Sequence, residues 1–291
     1  MYRILITGGT GFLGSNLVKY LVSKRYNITL LKRSFSNTHR ISEIVDKLHM
    51  IDIDRVSIDE IAKTRKFDII LHCATNYGKM DNTPLTVIEA NLQLPLKLLT
   101  LAKEMQVKFF INTDTILDKR VSYYSLSKKQ FREWMYFYAS NLVCVNISLE
   151  HFFGPNDNPD KFVSFIIRNL INDVDSISLT EGNQKRDFIF ISDVVKAFVR
   201  IIDNIMSFPH GVFHYEIGSG NLISIKSFVL LIKELIGNTK TTLNFGALAY
   251  REHEIMESEV DLKSIKKLGW TCERNLREGL IETIKFEKDR K

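Results

Sequence analysis

The chain has 291 residues, 45% hydrophobic and 25% charged, the proportions of a soluble globular protein rather than a disordered or fibrous one. No apolar run approaches the roughly 20 residues that span a bilayer, and Met1 to Ile6 enters a strand-like pattern without leader-type flanks, so a cytoplasmic protein with no membrane contact is expected. The formal charge is +6, but the cations are scattered, with no run longer than a pair before Lys288, Arg290 and Lys291; that distribution suits a small anionic ligand better than nucleic acid.

In chain order, residues 3–6 read as an apolar strand, 13–23 as a helix, 27–31 as a second strand, 48–53 as a short third and 67–72 as a fourth. Residues 88–103 repeat apolar side chains at helical spacing, although Pro95 demands a kink or a nearby turn. Residues 109–111 open a fifth strand, 125–139 predict a helix and 142–149 a sixth strand. Strand–helix alternation of this kind predicts an α/β fold with a Rossmann-like, doubly wound parallel sheet. Right-handed crossovers then gather the strand C-termini, and the site, on one edge. After Phe153-Gly154-Pro155-Asn156 the texture changes to a helix at 161–172, a strand at 176–179, a helix at 192–204, a strand at 212–217 and a helix at 225–236. No linker divides the halves. The expected organisation is a first domain over 1–150, with some later segments returning to it, and a smaller substrate-binding subdomain over 151–291. Cys73, Cys144 and Cys272 are odd in number and share no metal-type spacing, so they read as reduced thiols and no metal site is expected.

Between the first strand and the first helix stands Thr7-Gly8-Gly9-Thr10-Gly11-Phe12-Leu13-Gly14. It satisfies G-x-G-x-x-G through Gly9, Gly11 and Gly14, and the wider G-x-x-G-x-x-G through Gly8, Gly11 and Gly14. Such a turn brings backbone up to a pyrophosphate, with Phe12 and Leu13 opening the helix toward the negative charge. The group that reads the cofactor's 2′ position is due about 20 residues further on. There the strand ends in Lys32-Arg33, with no carboxylate. Two cations suit a 2′-phosphate, so NADP(H) is favoured over NAD(H), which stays open.

Tyr124 and Lys128 form a Y-x-x-x-K, one helix face bearing a phenol and an ammonium. A second such pair, Tyr20 and Lys24, lies on the helix behind the glycine turn and is taken as a decoy. What distinguishes Tyr124 is its place just after the fifth strand, which runs through Asn112-Thr113-Asp114-Thr115. A phenol titrates near pH 10, about three units too high for efficient proton transfer at neutrality. A neighbouring ammonium is expected to lower that value, while the Thr113 hydroxyl holds the substrate oxygen.

Taken together these residues resemble the extended short-chain dehydrogenases/reductases, the NAD(P)-dependent nucleotide-sugar epimerase/dehydratase family, over nearly the whole chain. The resemblance implies further roles. Asp52-Ile53 looks like the adenine-contacting pair, His72 and Ala74 like the H-x-A segment beside the cofactor, and Asn91 like the helix asparagine. Glu150-His151-Phe152-Phe153-Gly154-Pro155 resembles the N-x-Y-G-P motif. Arg186 and Arg251 look like the two arginines for a substrate diphosphate, and Thr75, Asp114 and His151 line the implied sugar site. Gly218-Ser219-Gly220 and Leu268-Gly269-Trp270 complete the pattern. Thr115 replaces the glutamate that follows Thr-Asp in 4,6-dehydratases, which makes the chain more similar to 4-ketoreductases of the CDP-abequose and CDP-paratose synthase type. The loop from Thr113 to Tyr124 is short for the family, and Ser148 stands where an arginine is usual. The implied activity is NADPH-dependent reduction of a nucleotide-linked 4-keto-deoxyhexose for cell-surface polysaccharide, with a 4-epimerase as the alternative and a cofactor-sensing regulator as the non-enzymatic one. A homodimer is also expected, because helices 88–103 and 125–139 carry apolar residues (Trp134, Met135, Phe137, Tyr138) beyond one buried face and relatives pair these helices across a two-fold axis.

Overall fold

The computed structural model describes residues 2–78 and 83–290; Met1, residues 79–82 and Lys291 lie outside the described residues. The first half runs β1 (Arg3–Thr7), α1 (Phe12–Ser23), β2 (Asn27–Lys32), β3 (His49–Asp52), α2 (Ile58–Thr64), β4 (Ile69–His72), α3 (Pro84–Ile88), α4 (Leu94–Glu104), β5 (Phe109–Thr115), α5 (Tyr123–Met135) and β6 (Val143–Leu149). The second continues with β7 (His151–Phe153), α6 (Phe162–Ile171), β8 (Ser176–Leu179), β9 (Lys185–Phe190), α7 (Ile191–Asn204), β10 (Gly211–Ile217), β11 (Leu222–Ser224), α8 (Ile225–Ile236), β12 (Thr242–Phe245), α9 (Lys263–Lys267) and α10 (Leu276–Asp289).

Among the described residues the main sheet has seven parallel strands in the order β10-β6-β5-β4-β1-β2-β3. Successive side chains of a strand face opposite layers. Ile4, Ile6, Leu30, Leu71 and Val145 pack toward α1 and α7, and Leu5, Ile70, Phe110 and Cys144 toward α4 and α5. Both faces are covered, which is why these strands read as continuous apolar runs. Each fully buried aliphatic side chain contributes about 1.5–3 kcal/mol. The chain winds outward from β1 in one direction through β2 and β3, and in the other through β4, β5 and β6. The crevice opens at that reversal, beyond the strand C-termini. β10 returns from residue 211 to pair with β6, so the last strand of the main sheet comes from the second half of the chain. The smaller layer consists of β7, β9 and β11, with β8 pairing β12 beside it.

Two helices differ from their sequence outline. The 88–103 pattern is broken at Glu89–Gln93 by a wider, π-type turn, after which α4 begins with Pro95 in its first turn. There the missing N–H of proline costs nothing. The 125–139 pattern starts two residues early, because Ser122 caps the helix and Ser125 bonds back to the Ser122 backbone. It also stops at Met135, leaving Tyr136 and Phe137 exposed beyond its end.

Candidate active site

One cleft of about 1650 Å³ runs along the strand C-termini and takes in residues of both halves. Its first end is a backbone cradle. Gly8 adopts φ +68°, and a Cβ there would lie 2.5 Å from the Ala74 nitrogen; one on Gly14 would lie 2.2 Å from the Gly8 carbonyl oxygen. Side chains are therefore excluded where the turn, the β4 loop and α1 meet. No side chain among the described residues caps the start of α1 at Gly11, which leaves its N–H groups for an anion. Gly8, Gly11, Phe12, Leu13, Gly14, Lys32, Arg33, Ile53 and Ala74 all line this end. A glycine cradle, an uncapped helix start and a cleft of this length fit a dinucleotide.

Three residues expected as cofactor contacts, Asp52, His72 and Asn91, are not among those lining the cleft. Asp52 accepts from the Ser34 hydroxyl at 2.7 Å, which is the first cause holding its carboxyl below the usual range, and its Oδ2 lies 3.7 Å from Lys32 Nζ. The strand end that carries no carboxylate of its own thus borrows one from β3. Buried His72 shares a 2.8 Å hydrogen bond with Thr7, and burial, then the Lys128 charge, hold the imidazole neutral by pushing its pKa well down. Asn91, buried in the π-type turn, clasps the Asn76 backbone at N and O (2.8 Å each) and donates to the Ser127 hydroxyl at 3.0 Å. It ties the loop bearing Thr75 to α5.

Below the cradle, Thr113, Tyr124 and Lys128 share the cleft wall. Lys128 is 1% exposed and donates to the Thr113 carbonyl at 2.9 Å; burial pulls its pKa down to about 8, against the opposing pull of Asp114. Two expectations are corrected here. The ammonium does not depress the Tyr124 pKa: burial, then the nearby Tyr77 ring, push the phenol well above its ordinary value. The reason is that Lys128 reaches for a strand carbonyl rather than for the phenol. Burial accordingly favours the neutral form of the Tyr124 phenol. The Thr113 hydroxyl, for its part, donates to the His72 carbonyl at 3.0 Å, so only its lone pairs face outward.

Asp114 lines the cleft but is already engaged on several sides. Its side chain is fully buried and accepts from Thr115 N (2.7 Å), Asn146 Nδ2 (2.9 Å), Lys129 Nζ (3.3 Å) and Ser148 Oγ (3.4 Å). It organises the β5 end from within. Tyr77 was not singled out as a site residue, yet its ring lies 5.1 Å from that of Tyr124, with the Lys161 ammonium 3.2 Å above its centroid. The decoy pair sits apart at the far end of α1, Lys24 lying 5.6 Å from the Tyr20 ring, and neither residue lines the cleft.

The other end of the cleft holds Thr75, His151, Arg186 and Arg251. Arg186 lies within β9, donates to the Lys185 carbonyl at 2.7 Å and pairs with Glu254. Arg251 is exposed, and Glu254 closes a turn onto its carbonyl at 3.1 Å. The segment 250–258 straps across β9: Lys185 N donates to the Met256 carbonyl at 2.7 Å, and Lys185 Nζ meets Glu257 at 2.5 Å. Sequence reasoning missed Glu254, which carries no signal beyond its place three residues after Arg251.

The sequence profile of the NAD dependent epimerase/dehydratase family matches residues 4–218. CDP-abequose synthase of Salmonella muenchen is 33% identical over 297 residues, covering 98% of each chain. The CDP-abequose synthase of Yersinia pseudotuberculosis is 26% identical, over 90% of this chain and 94% of its own. Among solved structures, UDP-glucose 4-epimerase of Thermotoga maritima with UDP-glucose superposes with a TM-score of 0.86 at 21% identity, covering 99% of both chains. dTDP-glucose 4,6-dehydratase of Bacillus anthracis in complex with NAD gives 0.83 at 19% identity, covering 100% of this chain and 98% of its own. At those identities the structures attest the fold.

Proposed function

The chain belongs to the NAD dependent epimerase/dehydratase family, and from that premise we propose that it uses NADPH to reduce a nucleotide-linked 4-keto-deoxyhexose, of the CDP-4-keto-3,6-dideoxyglucose kind, toward an O-antigen sugar. The observation that carries this reading is a single cleft with a glycine cradle at one end, two arginines at the other and Tyr124 between them. The curated relatives named CDP-abequose synthase support the substrate class.

In this reading the reduced nicotinamide, when bound, supplies the hydride for C4. Gly8, Gly11 and Gly14 admit the pyrophosphate, and the start of α1 donates to it. Lys32 and Arg33 favour the 2′-phosphate. Lys128 orients the nicotinamide ribose from its buried position. Tyr124, kept protonated by its surroundings, gives its proton to the C4 oxygen. Thr113, whose proton goes to the His72 carbonyl, accepts from the C4 hydroxyl once that has formed, and Arg186 and Arg251 hold the diphosphate. A second copy of the chain pairs through the face of α4 and α5, where Trp134 is exposed on α5 and Tyr136 and Phe137 just beyond its end, while Met135, expected on that face, is fully buried in the core.

The test is incubation with NADPH and a panel of CDP- and dTDP-linked 4-keto sugars. Loss of reduced-nicotinamide absorbance with a CDP-linked ketone is the expected result. A second reading, a nucleotide-sugar 4-epimerase, is favoured by the Lys32–Asp52 pair, which offsets part of the charge that selects a 2′-phosphate. It predicts product without net consumption of cofactor.

A further inference from the structure

Near the strand C-termini the face of the main sheet that α4 and α5 cover turns polar. Across β1, β4, β5, β6 and β10 the residues in register are Thr7, His72, Asn112, Asn146 and His214. Two residues earlier, on the same face, those strands carry Leu5, Ile70, Phe110, Cys144 and Val212. Asn112 and Asn146 are fully buried, and a buried amide is costly unless it is paired. Asn112 Nδ2 donates to Asn146 Oδ1 at 2.7 Å. Asn146 Nδ2 donates to Asp114 Oδ2 at 2.9 Å and lies 3.3 Å from His214 Nδ1.

A carboxylate can only accept, so Asp114 decides which end of the Asn146 amide is nitrogen. The second N–H of that nitrogen then falls to His214 Nδ1, which must offer a lone pair. The ring proton sits on Nε2, 3.5 Å from the Tyr136 hydroxyl. This arrangement suits a neutral ring alone. An imidazolium would set a donor at Nδ1 against the donor of Asn146. Turning the amide would only move the conflict, placing its oxygen against Asp114 and its nitrogen against Asn112 Nδ2. In keeping with this, burial and then the Arg132 charge hold the His214 pKa below its ordinary value.

We propose that Asn146 is a positioning residue, held in one orientation by Asn112 and the neutral ring of His214, that fixes the Asp114 carboxylate at the end of β5, one residue from the carbonyl to which Lys128 donates. This rests on the reading in which Tyr124 is the acid and Lys128 orients the nicotinamide ribose. Burial and the Tyr77 ring come first in keeping the Tyr124 proton in place, and the Asp114 charge adds to them; the same charge opposes the effect of burial on Lys128. Protonation of His214 releases the amide and with it Asp114. The charged and titratable groups facing the ring are Lys129, Arg132 and Glu133 on α5, Tyr136 just past its end, and Asp114 on β5. Glu216 follows on β10 itself, while α9, with Lys263, Lys266 and Lys267, packs against β10 through Ile265 from the other layer.

The test has two arms on the full-length protein with cofactor present. In the first, ¹³C-labelled histidines are titrated by NMR, the His214 signal being the one lost in His214→Asn. Its midpoint is expected below the ordinary imidazole value and is expected to rise in Asn146→Ser, whose hydroxyl can donate or accept as the ring requires. In the second, initial rates are measured at saturating NADPH with a 4-keto sugar from the panel. From pH 7 to pH 5 kcat is expected to fall about tenfold in the unaltered protein. In His214→Asn, whose amide oxygen replaces Nδ1 and takes up no proton, the fall is expected to be under about twofold. NADPH affinity should hold in both variants, a split that a merely structural role would not give. An unmoved His214 midpoint in Asn146→Ser, or an acid-side fall that persists in His214→Asn, would overturn the proposal. If no form turns over any ketone, the reduction reading fails instead, and the NMR midpoint alone decides the role of Asn146.

Discussion

The two ends of the cleft are built on different principles. The cofactor end is backbone: three glycines, a helix start and the β4 loop, all within 14 residues of the N-terminus except Ala74, with clearances so small that a single methyl group collides. The end proposed for the substrate is side chains drawn from residues 150, 151, 186, 251, 254 and 258, among which 150 pairs with 151 and 258, and 186 with 254. A backbone cradle is rigid and indifferent to what the rest of the ligand carries. A set of paired charges can be exchanged residue by residue. A shared fold can in this way keep one cofactor while its substrates diverge.

Breaking the centre between the two ends should have the largest effect. Tyr124→Phe keeps the ring packed against Tyr77 but removes the acid, and kcat is expected to fall about 10²–10⁴-fold with little change in thermal melting. Tyr20→Phe should leave kcat near its original value, and Thr113→Val should fall between. Measured at saturating NADPH, full activity in Tyr124→Phe would move the acid elsewhere.

The contrast itself is tested next. Gly14→Ala sets a methyl group against the Gly8 carbonyl, and overpacking of about 1–3 kcal/mol corresponds to roughly fivefold to 150-fold weaker NADPH binding, read by fluorescence titration. The KM for the nucleotide sugar should move far less. Arg186→Ala should do the reverse, raising that KM about tenfold or more while cofactor affinity holds, because charge-assisted hydrogen bonds of about 1.5–3 kcal/mol are lost at the substrate end alone. If cofactor binding fell instead, the division of labour between the ends would be wrong.

The smallest effect is expected where the cofactor end does use side chains. Lys32→Asp brings a second carboxylate beside Asp52, which lies 3.7 Å from the lysine amine. The preference for NADPH over NADH should erode several-fold or reverse, by competition binding. Because the Lys32 charge is partly offset by Asp52 and Arg33 is exposed over the Phe35 ring at 5.7 Å, the preference at the start is expected to be modest. Equal binding of both cofactors by the unaltered protein would remove it altogether.

What the sequence determined by itself were the features whose signals are local. The strand–helix alternation, the glycine spacing of Gly8–Gly14 and the four-residue spacing of Tyr124 and Lys128 each lie within one or two turns of chain, where periodicity and sterics act directly. The family resemblance added the two arginines and the strand-to-loop motif around His151. What only the tertiary structure decided was how these groups are partnered. Lys128 faces the Thr113 carbonyl rather than Tyr124, Asp114 is saturated by Asn146, Ser148 and Lys129, and Arg186 meets Glu254. Thr113 and Lys128 are 15 residues apart, Arg186 and Glu254 are 68 apart, and Glu150 and Ser258 are 108 apart. The choice of partner for a buried polar group is set by which neighbour the packed sheet and strap bring within about 3 Å, since an unmatched charge there is expensive. Residue type and spacing fix that a lysine is near a tyrosine; they do not fix which oxygen its proton finds.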